Sequence, residues 1–181
     1  MKYATIFHLI SSITSKMGAA CVLIGGFAVG YHKAPRNTAD IDFLTTRENF
    51  DKILGLLKKE DFRVDYIHEV FARLKNEKEQ YMDLDFMFVD EDVLDKIIKD
   101  GEKAFIAGYE FIVPSVFHLI ALKLHAIKSN KQREYKDLVD IIDLIRNNNI
   151  DIKNRDFKEL CLKYGTEQLY NRIINHLAPR G

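Results

Sequence analysis

Asp40 and Asp42 flank Ile41 in an otherwise apolar segment, Ala39 to Leu44. On an extended strand, residues two apart project from the same face, so both carboxylates stand side by side. Neighbouring anions repel, and each raises the other's pKa unless a cation intervenes. A hard divalent cation with oxygen ligands, Mg²⁺ (or Mn²⁺), resolves that conflict and keeps positions open for phosphate oxygens. A second apolar segment, Tyr81 to Phe88, carries Asp83 and Asp85 at alternate positions. If it pairs beside the first, one of these acids completes a carboxylate triad. Asp85 is favoured, because Phe86, Met87 and Phe88 follow it and place it in the middle of a buried strand; Asp83 is the alternative. Buried carboxylates without a counter-ion carry a heavy desolvation cost, so simple packing accounts poorly for three of them.

A turn upstream suits a phosphate. Ala20 to Ile24 reads as a buried strand that ends in Gly25-Gly26, with a short helix beginning at Phe27. Bare backbone N–H groups at a helix start favour an anion through their unpaired donors and the helix dipole. Arg36 and Thr38, just ahead of the aspartate pair, are candidates to contact phosphate or acceptor; the plainer alternative is a solvated loop.

Other chemistries find no support. The six histidines and two cysteines show no zinc-ligand spacing, and no Gly-x-Ser-x-Gly or Walker-type loop occurs. His118 and His125, seven apart on one helix, are expected to pack or cap. Cys21, inside an apolar run, reads as a buried free thiol. The aromatic residues fall on expected core faces and read as packing, not base stacking.

These residues need elements to hold them. Residues 4–17 have helical apolar spacing and stop at Gly18. Thr45 with Glu48 resembles a capping box for a helix over 47–59. Strand-like segments follow at 62–67, 69–74 and 80–89, then a helix with Val93, Leu94, Ile97 and Ile98 inward. Residues 103–113 read as a hairpin turning at Ala107-Gly108. Helices are expected from Pro114-Ser115 to about 128, over 134–146, and near 156–163 and 166–177. The fold class is therefore α+β (α/β): a mixed sheet of five or six strands flanked by helices, with a C-terminal helical segment. The expected organisation is a core over residues 1–114 and a helical segment over 115–181 packed on it.

The charge total excludes a protein that coats nucleic acid non-specifically, since 27 basic residues balance 27 acidic ones. The distribution is uneven. Residues 116–181 hold 12 Lys/Arg against 8 Asp/Glu, and the preceding residues are correspondingly acidic. No run approaches a membrane span, and no signal-peptide pattern opens the chain, so a cytoplasmic location is expected.

Gly25-Gly26, Asp40-Ile41-Asp42 and a later strand aspartate together resemble the signature of the nucleotidyltransferase (polymerase β-like) superfamily. The resemblance implies the nucleotidyltransferase fold. It also implies that Gly25-Gly26 contacts a triphosphate and that Asp40, Asp42 and Asp85 hold two Mg²⁺ ions. One ion would activate an attacking hydroxyl and the other would steady the pyrophosphate leaving group. Leu119 to Ala126 and Arg133 to Asp140 are similar to helical segments of the AbiEii-type nucleotidyltransferases, which include toxins of toxin–antitoxin pairs. By that resemblance Lys123 meets triphosphate oxygens, and Asp137 orients Lys123 or contacts the nucleotide. Asp140 and Asp143 are expected to face solvent. The implied activity moves an NMP from NTP to a hydroxyl acceptor. RNA (a tRNA 3′ end) ranks ahead of a protein hydroxyl, with a small molecule such as an antibiotic third, and a cognate antitoxin is a possible partner. The alternative is a nucleotide-binding or partner-binding module of the same fold without catalysis.

Overall fold

The computed structural model describes residues 3–178. By contacts the chain divides into two compact units, Met1–Ala28 with Arg36–Ser115 and Val29–Pro35 with Val116–Gly181. Residues 1, 2 and 179–181 of the segments expected above lie outside the described residues.

The first unit is built on one seven-stranded mixed sheet. Its strands are β1 (Cys21–Leu23), β2 (Asp40–Thr45), β3 (Phe62–His68), β4 (Phe71–Asn76), β5 (Asp83–Phe88), β6 (Glu102–Ile106) and β7 (Tyr109–Val113). They lie in the order β3-β4-β5-β2-β1-β7-β6, with β2–β5 and β1–β7 parallel and the other pairs antiparallel. The sheet exceeds the five or six strands expected because the 103–113 hairpin supplies two of its own and joins through β7. That hairpin turns at Ala107 and Gly108, both at positive φ (51° and 87°), the backbone a tight two-residue turn needs.

Alternation along β2 and β5 sorts the sheet into a dry face and a polar one. Ile41, Phe43, Leu84 and Phe86 are fully buried. Phe43 stacks on Phe86 at 5.6 Å, and Phe50 of α3 (Arg47–Lys59) packs on Phe86 and Phe88 at 5.1 Å each. The intervening Asp40, Asp42 and Asp85 therefore project from the opposite face. Helix α1 (Ile6–Met17) buries Leu9, Ile10 and Ile13 and ends at Gly18, whose φ of 58° suits a left-handed cap. Helix α3 is capped by Thr46, which accepts from the Asn49 N–H at 3.1 Å, so the N-cap falls one residue later than the expected capping box. Thr45 is instead the buried end of β2, its hydroxyl donating to the Ala20 carbonyl at 2.6 Å. Helix α4 (Glu91–Lys99) turns Leu94 and Ile97 inward. Helix α2 (Gly25–Tyr31) begins at Gly25, two residues earlier than expected.

The second unit contains α5 (Val116–Ser129), α6 (Glu134–Asn147), α7 (Arg155–Tyr164) and α8 (Glu167–Leu177), with a 3-10 turn at Lys131–Arg133. Leu119, Ile120, Leu124, Ile141, Leu144, Phe157 and Ile173 form its core. His125 is exposed, so it does not pack as expected. Among the described residues no helix is long and apolar enough to cross a membrane.

Candidate functional site

The parallel register of β2 on β5 sets Asp42 directly opposite Asp85 and Asp40 opposite Asp83. One oxygen from each of Asp40, Asp42 and Asp85 comes within 4.8 Å of the other two; Asp83 is not a member of that group. Asp85 is buried, while Asp40 and Asp42 are half-buried. The structure thus brings together the three carboxylates favoured from sequence.

A cation of the chain's own meets them. Arg73 on β4 pairs opposite Asp85. Its Nε and Nη2 donate to the two Asp85 oxygens at 2.7 and 2.5 Å, and Nη2 lies 3.8 Å from Asp40 Oδ2. This two-pronged bond, strengthened by the nearby Asp85, Asp40 and Asp83 charges, holds the guanidinium above its already high pKa. Sequence reasoning missed Arg73. The signal was the alternation of Ala72 and Leu74 around it, which turns Arg73 away from the core; both neighbours are fully buried.

The glycine turn abuts the same carboxylates. Ile24 N–H donates to the Asp42 carbonyl at 2.9 Å, tying the end of β1 to Asp42. Gly25 has φ +61°, and a Cβ placed there would lie 1.8 Å from Asp42 Oδ2. Backbone and space both demand glycine. At Gly26 a Cβ would meet the Thr38 side chain at 2.7 Å. Thr38 in turn donates to Asp40 Oδ1 at 2.9 Å, so the glycine pair, Thr38 and the aspartates form one continuous packing unit. Arg36 donates from Nη1 to the Asn37 carbonyl at 3.1 Å.

Lys123 and Asp137 occur in the second unit as part of a buried ionic cluster. Lys123 Nζ lies 3.0 Å from Asp137 and 2.5 Å from Asp140, and all three residues are buried. Arg133, at the exposed rim, donates to Asp137 at 2.9 Å. Burial pushes Asp137 up, but the Lys123 ammonium and the Arg133 guanidinium outweigh it and hold the carboxyl below its usual range. The expectation that Asp140 faces solvent is corrected. It is 3% exposed, because it shares a helix face with Asp137, Ile141 and Leu144. Asp143 is half-buried.

Whether the triad suits a divalent cation can be judged from its donors. They are hard carboxylate oxygens, no histidine or cysteine belongs to the group, and a guanidinium already occupies part of the region that needs positive charge. Such a set fits Mg²⁺ or Mn²⁺ better than zinc. The two cysteines stand apart from it. Both are free thiols, and burial pushes Cys21 up to about 11 and Cys161 to about 12, so neither is a nucleophile at neutral pH.

Comparisons with known proteins give a family and a fold. The family model described as nucleotidyl transferase AbiEii toxin, Type IV TA system, matches residues 9–179. No match is found among curated proteins. Among solved structures, the solution structure of antibiotic-resistance factor ANT(2'')-Ia aligns with a TM-score of 0.65 at 12% identity, covering 93% of each chain. Lincomycin-bound lincosamide antibiotic adenylyltransferase LnuA aligns with a TM-score of 0.53 at 15% identity, covering 75% of this chain and 91% of that one. The Megavirus polyadenylate synthase aligns with a TM-score of 0.55 at 16% identity, over 80% of this chain and 32% of the synthase. At such identities the likeness is one of fold, and the fold is that of nucleotidyltransferases.

Proposed function

The chain belongs to the AbiEii nucleotidyl transferase toxin family, and from that premise we propose that it moves a nucleoside monophosphate from an NTP to an acceptor hydroxyl, with Mg²⁺ or Mn²⁺ held by Asp40, Asp42 and Asp85. The observation that carries this reading is the in-register pairing of Asp42 with Asp85, which gathers three carboxylates within 4.8 Å.

The acceptor oxygen attacks the α-phosphorus, the bond to the bridging oxygen breaks, and pyrophosphate leaves with its electron pair. A bound divalent cation neutralises charge at the phosphates and makes the acceptor hydroxyl more acidic. Asp40 and Asp42 hold that charge in place, and Thr38 keeps Asp40 oriented through its 2.9 Å bond. Asp85 receives the acceptor's proton. Gly25 and Gly26 leave the start of α2 bare for the triphosphate. Arg73 balances Asp85, and its guanidinium would add positive charge beside the phosphates.

Residues 1–114 form the catalytic core in this proposal, with 115–181 as the helical accessory segment. Arg36, just ahead of the aspartate pair, serves as a further phosphate contact; by the resemblance of their segments Lys123 meets triphosphate oxygens and Asp137 orients Lys123, with which it makes a 3.0 Å bond, or contacts the nucleotide. The acceptor is an RNA 3′ end, such as that of a tRNA, in preference to a protein hydroxyl. The setting is the cytoplasm, with a cognate antitoxin as partner.

A second reading has one observation in its favour. The grip of Arg73 on Asp85 is what a non-catalytic binding module would use as a permanent counter-ion. Parallel incubations with α-labelled and γ-labelled NTPs, total cellular RNA and Mg²⁺ separate the two. The proposal expects the α label in ribonuclease-sensitive material, the γ label in pyrophosphate, and neither after chelation. NTP binding with no label transferred to RNA, protein or small molecules favours the non-catalytic module.

A further inference from the structure

The row that carries the carboxylates continues to the free edge of the sheet. Asp42 pairs with Asp85, Asp85 with Arg73, and Arg73 with Tyr66. Directly opposed residues share a face, so Tyr66 stands on the carboxylate face. A bulge puts it there. Between Val64 and Tyr66 the register of β3 on β4 shifts by one residue; without that shift Asp65 would oppose Arg73. His68, opposite Phe71, follows on the same face.

These rings are not core. Tyr66 is 53% exposed, His68 is exposed and Phe71 is half-buried. Tyr66 and His68 are nearly parallel, at 7° with centroids 6.4 Å apart, and Phe71 lies 6.2 Å from Tyr66. The Arg73 guanidinium extends the group, 6.0 Å from the Phe71 ring. The expectation that aromatic residues serve packing alone fails here.

Position decides what the rings face. In-line transfer sets the attacking oxygen and the leaving pyrophosphate on opposite sides of the phosphorus. The glycine turn lies at the end of β1, on one side of β2; β5, β4 and β3 lie on the other. A triphosphate over Gly25-Gly26 therefore sends its leaving group toward β1 and exposes its α-phosphorus to an acceptor arriving from the β3 side. Tyr66 is three strands from Asp42, about 14 Å at the usual strand spacing. The nearby cations are already paired: Lys75 with Asp65 at 3.0 Å, Arg63 with Glu77 at 3.8 Å, and Arg73 with Asp85. Flat exposed rings offer planar groups a surface to stack on.

We propose that Tyr66, His68 and Phe71 form a stacking platform for bases near the 3′ end of a single-stranded RNA acceptor, next to the carboxylate site. This rests on the nucleotidyltransferase reading above.

The test measures fluorescence anisotropy of a short 5′-fluorescein single-stranded RNA with wild type, Tyr66→Ala, His68→Ala, Tyr66→Phe and Asp42→Asn. Calorimetry of Mg²⁺ with a non-hydrolysable NTP runs alongside. Loss of one stacked base weakens RNA binding about tenfold in Tyr66→Ala and His68→Ala. Tyr66→Phe keeps the wild-type affinity, and all three bind Mg²⁺–NTP normally. Asp42→Asn shows the converse, intact RNA binding with weakened Mg²⁺–NTP binding. RNA affinity unchanged in both alanine variants overturns the platform, as does a wild type that ignores RNA and labels a protein or small molecule. Mg²⁺–NTP binding that is absent, or indifferent to Asp42→Asn, overturns the nucleotidyltransferase reading instead.

Discussion

Asp42→Asn is expected to lower nucleotidyl transfer by about a thousandfold, roughly 4 kcal/mol of barrier, while leaving the fold intact. Asp42 stands at the junction of everything the site uses. It pairs with Asp85 across the sheet, its carbonyl receives the Ile24 N–H, and Gly25 is pressed against its carboxylate. Asparagine keeps the shape but removes one negative charge from a cluster of three carboxylates that Arg73 only partly offsets. Repulsion falls, so stability without metal is unchanged or slightly higher. The stabilisation that Mg²⁺ confers on the wild type by mass action should shrink in the variant. Thermal melts with and without Mg²⁺, together with initial rates, check both halves. A variant that unfolds, or one that transfers at the wild-type rate, contradicts this assignment.

Lys123→Met should produce the largest loss of stability, about 3 kcal/mol. Its ammonium faces Asp137 and Asp140, which are 1% and 3% exposed. Replacing it keeps the volume of the side chain but strips both carboxylates of the buried ammonium they share, while Arg133 at 2.9 Å still supports Asp137 from the rim. For a chain of this length the melting temperature should drop by roughly 6–12 °C. The pH dependence has a definite sign. Asp137 is held below its ordinary value of 3.8, so its contribution is complete above that value and is lost as pH falls through the lowered one. The gap between wild type and Lys123→Met should therefore narrow on acidification, as the carboxylates left without the lysine take up protons. Denaturant unfolding at several pH values measures it; a gap that widens on acidification contradicts the assignment.

The aspartate pair was legible because alternation within one strand is a local property: Asp40 and Asp42 had to share a face. Choosing Asp85 over Asp83 needed the register of β2 on β5, which depends on strands some forty residues apart. Phe86 and Phe88 pointed the right way, since their burial pins the strand. The alternation of Ala72 and Leu74 marked the face of Arg73 but not its partner, and Tyr66 lay out of reach because the bulge that re-aims it leaves no mark in the local pattern. Asp140 was a different failure. Asp137, Asp140, Ile141 and Leu144 follow the three-and-four spacing of one helix face, and Lys123 falls in the stripe of Leu119, Ile120, Leu124 and Ile127. Reading the two stripes together would have shown acids and lysine buried as partners, where charge alone suggested solvent.

Anomalous scattering from crystals grown with Mn²⁺ and a non-hydrolysable NTP tests the central claim most directly. The account predicts manganese between the Asp40, Asp42 and Asp85 carboxylates, with the Arg73 guanidinium withdrawn from Asp85. Manganese elsewhere, or none at all with Arg73 still seated on Asp85, would contradict it.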